Sequence, residues 1–193
     1  MSRGPTETKS RILLSARSLF SSYGFTATSL DDILNAAGIT KGAFYHYFHS
    51  KEHLCQQVLQ DVVAEYQKLV ETVDKRRPAA EQLKQWLAIL MEKNQSGRWP
   101  NCRLITRLSV QMQQLGSELQ NRLIDFWRWY EGVYESWLAQ CGLNAEQAKL
   151  SARTLVGTIF GAIWLEKSLP SEYSAIDVIE HQLRLILRAA NVV

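Results

Sequence analysis

The chain has 193 residues, 46% of them hydrophobic, enough to bury the core of one large domain or of a small module joined to a larger one. Its formal net charge is only +3, and residues 1–54 hold six Lys/Arg against four Asp/Glu, a surplus that permits contact with nucleic acid without requiring it. Cys55, Cys102 and Cys141 are scattered and odd in number, which argues against a disulfide framework or a paired zinc motif.

The polar N-terminus lacks the apolar core of a signal peptide, and no apolar run reaches bilayer length, so a reducing, cytoplasmic setting without a membrane partner is expected. Four prolines and ten glycines punctuate the chain sparsely, which favours helices. Ile12, Ala16, Leu19, Phe20 and Tyr23 recur at helical spacing and predict a first helix from Thr6 to Tyr23, stopped at Gly24. Ser29 is placed to cap a short second helix, whose start Asp31 and Asp32 suit electrostatically, with Leu30, Ile33, Leu34 and Ala37 as its buried stripe. Gly38 opens a tight turn, and Thr40 caps a third helix from Lys41 to Phe48.

Ser50 caps a long fourth helix with Leu54, Val58, Val62, Tyr66, Leu69 and Val73 along one face, closed by Lys75-Arg76-Arg77-Pro78. Further helices are expected over 79–96, 101–113, 116–140, 145–167 and 175–190, with Gly97, Gly116, Gly142 and Pro170 at or near the breaks. The expected fold is all-α, with about nine helices. A three-helix helix-turn-helix domain covers residues 1–52, with the linking helix from residue 50, and a larger helical domain covers 53–193.

Two short helices joined at Gly38 form the unit that places a recognition helix in a DNA major groove. Phe44 and Phe48, one turn apart, should anchor the third helix and leave Lys41, Ala43, Tyr45, His46 and Tyr47 on or near its outer side. Lys41 has the chemistry for guanine edges or a phosphate, and Tyr45, His46 and Tyr47 can donate to phosphates. Thr40 and the backbone amides at the helix start favour phosphate oxygens, and Gly42 lets the backbone approach closely. Lys51, at the next helix start, is a further candidate phosphate contact. On pattern alone, ordinary packing in an all-helical domain is the alternative for these aromatics.

The ordered string Tyr23-Gly24-Phe25-Thr26-Ala27-Thr28-Ser29-Leu30-Asp31-Asp32-Ile33, then Ala36-Ala37-Gly38-Ile39-Thr40-Lys41-Gly42-Ala43-Phe44-Tyr45-His46-Tyr47-Phe48 and Ser50-Lys51-Glu52, closely resembles the TetR family of bacterial repressors. The resemblance runs over residues 6–60 and implies a repressor dimer, a palindromic operator in double-stranded DNA and a small-molecule inducer. By position it implies DNA contacts from Ser29, Thr40, Lys41, Gly42, Ala43, Tyr45, His46, Tyr47 and Lys51.

Broad apolar stripes on the last two helices, with Gly157 and Gly161 one turn apart, mark the expected dimer surface. The middle of the chain is rich in aromatics, from which Trp86, Phe126, Trp127, Tyr130 and Trp164 are the candidate effector contacts, with core packing as the alternative for each. Cys102 is a candidate sensing residue, since a helix start and Arg103 would lower its thiol pKa. The segment Asn101-Cys102-Arg103-Leu104, with Leu108-Ser109, faintly resembles a TetR subgroup in which some members sense electrophiles, although Asn101 replaces that pattern's glycine. An inert buried cysteine is the alternative.

His46, His49, His53 and Cys55 fall on two helices and do not make a metal site. No cofactor is expected. An enzyme or carrier would need a nucleophile with its base, a metal cluster or a phosphate loop, and neither a Gly-rich phosphate loop nor HExxH is present. A helical protein-interaction module is the third class left open.

Overall fold

The computed structural model of the chain describes residues 5–95, 101–169 and 171–190. They form α1 (Pro5–Tyr23), α2 (Leu30–Ala37), α3 (Lys41–Tyr47), α4 (Lys51–Glu71), α5 (Ala79–Gln95), α6 (Asn101–Val110), α7 (Ser117–Gln140), α8 (Ala145–Ser168) and α9 (Ala175–Ala189). No strand occurs among the described residues, so the fold is all-α as the sparse glycine and proline punctuation suggested. The breaks expected at Gly97 and Pro170 lie outside the described residues.

The chain divides into two compact units, Met1–Lys68 with Gly97–Asp125, and Leu69–Ser96 with Phe126–Val193. In the first, α1 packs on both α2 and α6. Ile12, Ala16 and Phe20, spaced four apart on α1, are completely buried, as are Ile33, Phe44, Leu54 and Leu104 from the neighbouring helices. Ser29 starts α2 with a full capping box: its Oγ accepts from the Asp32 N–H, while the Asp32 carboxylate accepts from the Ser29 N–H at 2.8 Å. The Ser29 hydroxyl, which also donates to the carboxylate at 2.6 Å, and the Ser29 N–H hold the Asp32 carboxyl below the usual carboxylate range. Gly38 ends α2 in the left-handed conformation at φ 59°, which makes the sharp turn possible for glycine at little cost.

Two helices end earlier than their apolar periodicity predicts. α4 stops at Glu71, where the Thr72 hydroxyl donates to the Leu69 carbonyl at 2.6 Å, although Val73 beyond it is still buried. α6 stops at Val110 and tightens into a single 3₁₀ turn, Met112–Gln114, in which the Gln114 and Leu115 amides bond three residues back.

In the second unit, α8 packs on α9, and each begins with a capping box, Asn144 with Gln147 and Ser174 with Asp177. Ala152, Leu155 and Ile159 of α8 and Ile179, Leu183 and Leu187 of α9 are buried. The outward faces of the same helices expose Leu150, Trp164, Leu165, Val178 and Leu185. Trp86, Tyr130 and Tyr134 are fully buried and joined: the Trp86 indole donates to the Tyr134 hydroxyl at 2.7 Å, and the two tyrosine hydroxyls are 2.9 Å apart. Three polar tips are thereby satisfied inside an apolar core.

Candidate nucleic-acid interface

α3 is only seven residues long, and an isolated helix of that length is not stable in water. Two anchors and a cap hold it. Phe44 is 0% exposed and Phe48 1%, with ring centroids 5.8 Å apart. The Thr40 hydroxyl accepts from the Ala43 N–H at 3.3 Å, which satisfies one of the free amides at the helix start.

With Phe44 and Phe48 turned inward, the other face of α3 is open. Thr40, Lys41, Gly42, Tyr45 and His46 are exposed, and Ala43 and Tyr47 are half-buried. Tyr45, 47% exposed, rests edge-on against Phe44 at 5.4 Å, and His46 and Tyr47 meet edge-on at 4.8 Å. The aromatic bodies are therefore supported from below while polar groups stay in water. The structure brings together seven of the nine residues singled out from the sequence, on one short helix and its cap.

The other two have different occupations. The Ser29 hydroxyl is engaged in the capping box, donating to Asp32 Oδ2 at 2.6 Å. Lys51 turns away from solvent: its Nζ donates to the Phe25 carbonyl at 2.9 Å and the Thr28 carbonyl at 2.7 Å, and lies 4.3 Å from the centre of the Phe25 ring. Burial holds this ammonium below the usual lysine range. Two of its three donors brace the loop between α1 and α2, so the expected phosphate contact has at most one donor left.

His49 and His53 stack at 5.1 Å, and His53 Nδ1 accepts from the His49 N–H at 3.3 Å. No group of three or more His, Cys, Asp or Glu among the described residues is arranged to hold a metal. Cys55 is completely buried in α4, and burial pushes its thiol up to about 12, against a small opposing pull from Lys51. It is therefore a neutral packing group at physiological pH. Alkylation of the folded protein at pH 8, read by mass spectrometry, should leave Cys55 unmodified; rapid labelling there would contradict this burial.

The aromatic candidates separate in the same way. Trp86, Phe126 and Tyr130 are core residues, with Phe126 and Tyr130 stacked at 5.5 Å. Trp127 is half-buried against Phe160 at 4.9 Å, and Trp164 is 61% exposed on α8. Cys102 opens α6, but its side chain lies outside the described residues, as does Trp99. A cavity of about 600 Å³ in the second unit is lined instead by Val70, Val73, Lys75, Gln82, Trp129, Gly132, Val133, Ser136, Trp137 and Gln140. Gln82 is pinned on both sides of its amide, accepting from the Trp137 indole at 2.8 Å and donating to the Arg77 carbonyl at 2.8 Å. Sequence reasoning missed this wall, because Gln82 and Gln140 look like ordinary solvent-face glutamines.

Residues 12–58 match the family described as "Bacterial regulatory proteins, tetR family". The chain is 29% identical over 173 residues to an uncharacterised helix-turn-helix transcriptional regulator of Lactococcus lactis, covering 83% of each chain. It is 35% identical over 72 residues to the transcriptional repressor KstR2 of Mycolicibacterium smegmatis, a match that spans only 35% of either protein. Among solved structures, a TetR regulator from Legionella pneumophila superposes with a TM-score of 0.78 at 23% identity, covering 98% of both chains. A TetR-family regulator from Streptomyces coelicolor does so with 0.79 at 20% identity over 96% of both. These structural likenesses carry the fold, and the match over residues 12–58 falls on the helices that build the exposed α3 face. Residues 12–58 carry the DNA-binding region of the tetR family of bacterial regulatory proteins, which makes the chain a TetR-type DNA-binding transcriptional regulator.

Proposed function

We propose that the protein is a repressor that binds a palindromic operator as a homodimer and is released by a small molecule or an electrophile. The observation that carries this reading is the exposed polar and aromatic face of α3 over its buried Phe44 and Phe48 anchors. A repressor role is supported by the names of relatives such as KstR2. In this reading residues 1–52 recognise DNA and residues 53–193 bind the effector and dimerise. Lys41 and His46 meet bases or phosphates, while Thr40, Tyr45 and Tyr47 add phosphate contacts.

The dimer is placed on the outer faces of α8 and α9, where Trp164 and Leu185 are 61% and 46% exposed. A two-fold axis there presents two recognition helices to two half-sites. The effector is placed in the cavity that Gln82 and Trp137 help to line, whose size suits a small organic molecule. An effector that prefers a dimer with the wrong half-site spacing weakens DNA binding, through a coupling carried by α4. Cys102 stands as the candidate for electrophile sensing. We place the protein in the cytoplasm and assign it no catalysis; no helix among the described residues is long and apolar enough to cross a membrane.

Genome-wide mapping of bound DNA, followed by salt titration on the recovered sites, tests the reading. Tyr45→Ala should weaken binding on all sequences. Lys41→Ala should relax specificity, or reduce the salt slope by about one if its contact is a phosphate. Wild-type affinity in both variants would rule out docking through α3.

A further inference from the structure

α1 ends at a broken hydrogen bond that α6 repairs. In a continuing helix the Phe25 N–H would bond the Ser21 carbonyl four residues back. Instead the Phe25 N–H donates to Gln111 Oε1 at 2.8 Å, and the Ser21 carbonyl accepts from Arg107 Nε at 3.0 Å. One missing backbone bond is thus replaced by two side chains, one capping each orphaned group.

Gln111 Oε1 also lies 3.5 Å from the Thr26 N–H, and the Thr26 hydroxyl donates to Gln114 Oε1 at 3.0 Å. Arg107, Gln111 and Gln114 follow helical spacing, so one stripe of α6 and its 3₁₀ extension reaches the α1–α2 turn across 85 to 88 residues of sequence. The fit is close. Gly24 has φ 87°, and a Cβ there would lie 2.7 Å from Gln111 Nε2. From the other side the turn is braced by Lys51, so its path to the Ser29 cap of α2 is fixed at both edges.

From this geometry we infer that Arg107, Gln111 and Gln114 are positioning residues for DNA binding. They set where α2 and the recognition helix α3 depart from α1, so the loss of their hydrogen bonds to the α1–α2 turn weakens DNA binding. The inference rests on the reading of the chain as a DNA-binding regulator.

Gln111→Leu removes the acceptor, whereas Gln111→Glu keeps it. Both are compared with wild type on a duplex that the wild-type protein selects from a random pool, at a temperature well below every melting midpoint. Affinity, salt slope and hydrogen exchange at the Phe25 amide are measured. Gln111→Leu should bind roughly five- to tenfold more weakly, the loss of about one hydrogen bond's worth of positioning. Its salt slope should match wild type, because no phosphate contact is removed. Its Phe25 amide should exchange faster, and Gln111→Glu should restore both affinity and protection.

If Gln111→Leu does not fold, Thr26→Val, which removes only the bond to Gln114, carries the same expectation at smaller size. Wild-type affinity in the folded variants, or equal damage from Gln111→Glu and Gln111→Leu, overturns the inference and leaves the DNA-binding reading standing. Failure of the wild-type protein to select any duplex overturns both.

Discussion

Phe44→Ala is expected to destabilise the helix-turn-helix by about 3–5 kcal/mol, the cost of truncating a fully buried aromatic. Phe44 is the one residue within α3 that is buried, and its ring meets Tyr45 and Phe48 at 5.4 and 5.8 Å. Its loss removes the floor beneath Tyr45 as well as one wall of the core. Total stabilities of about 5–15 kcal/mol leave little after such a loss. Chemical denaturation followed by circular dichroism should show an early transition, and operator binding should vanish with it. Phe44→Leu, which keeps most of the apolar volume, should recover much of the stability. A denaturation midpoint unchanged by Phe44→Ala would mean that α3 is held by something other than this anchor.

The second large effect concerns the outer face of α8 and α9. Trp164→Glu combined with Leu185→Glu is expected to convert the proposed dimer to monomer. Trp164 and Leu185 are exposed on helices whose opposite faces form a well-packed core, so the change should leave each protomer folded. In a two-fold interface every substitution acts twice. At about 2 kcal/mol for each hot-spot residue lost, a single such site costs about 4 kcal/mol per dimer, near a thousandfold in dissociation constant. Analytical ultracentrifugation reads the change directly, and operator affinity should fall because one half-site contact replaces two. A variant that sediments as a dimer at micromolar concentration would move the interface elsewhere.

Local rules made the DNA-facing end legible. Ser29 at an N-cap, Gly38 at a left-handed C-cap and phenylalanines four apart are each set by neighbours within a few residues, and the structure realises all three. The partners of long polar side chains were not legible in the same way. Lys51 has the position of a phosphate contact, yet it finds two carbonyls 23 and 26 residues earlier in the chain. Gln111 sits in the last turn of the helix expected over 101–113 and Gln114 just beyond it, and their acceptors are used 86 and 88 residues away.

The aromatic-rich middle was hard to read for a related reason. Composition cannot separate a tryptophan in a core from one facing a cavity. Trp86 lies in the core because the Tyr134 hydroxyl receives its N–H at 2.7 Å, whereas Trp137 lines the cavity with its N–H on Gln82.

The division of α3 into two faces also bears on how such a protein can change its target. The anchors that keep the helix folded, Phe44 and Phe48, are sealed from solvent, and beside the Thr40 cap the exposed Lys41 and His46 carry little of that burden. Lys41 and His46 can therefore be exchanged for other side chains at a cost of roughly 0.5 kcal/mol or less in stability. A single scaffold of this kind can be retargeted to new operators by successive surface substitutions, each intermediate remaining folded, and a library randomised at those two positions alone should yield altered-specificity variants without compensating changes in the core.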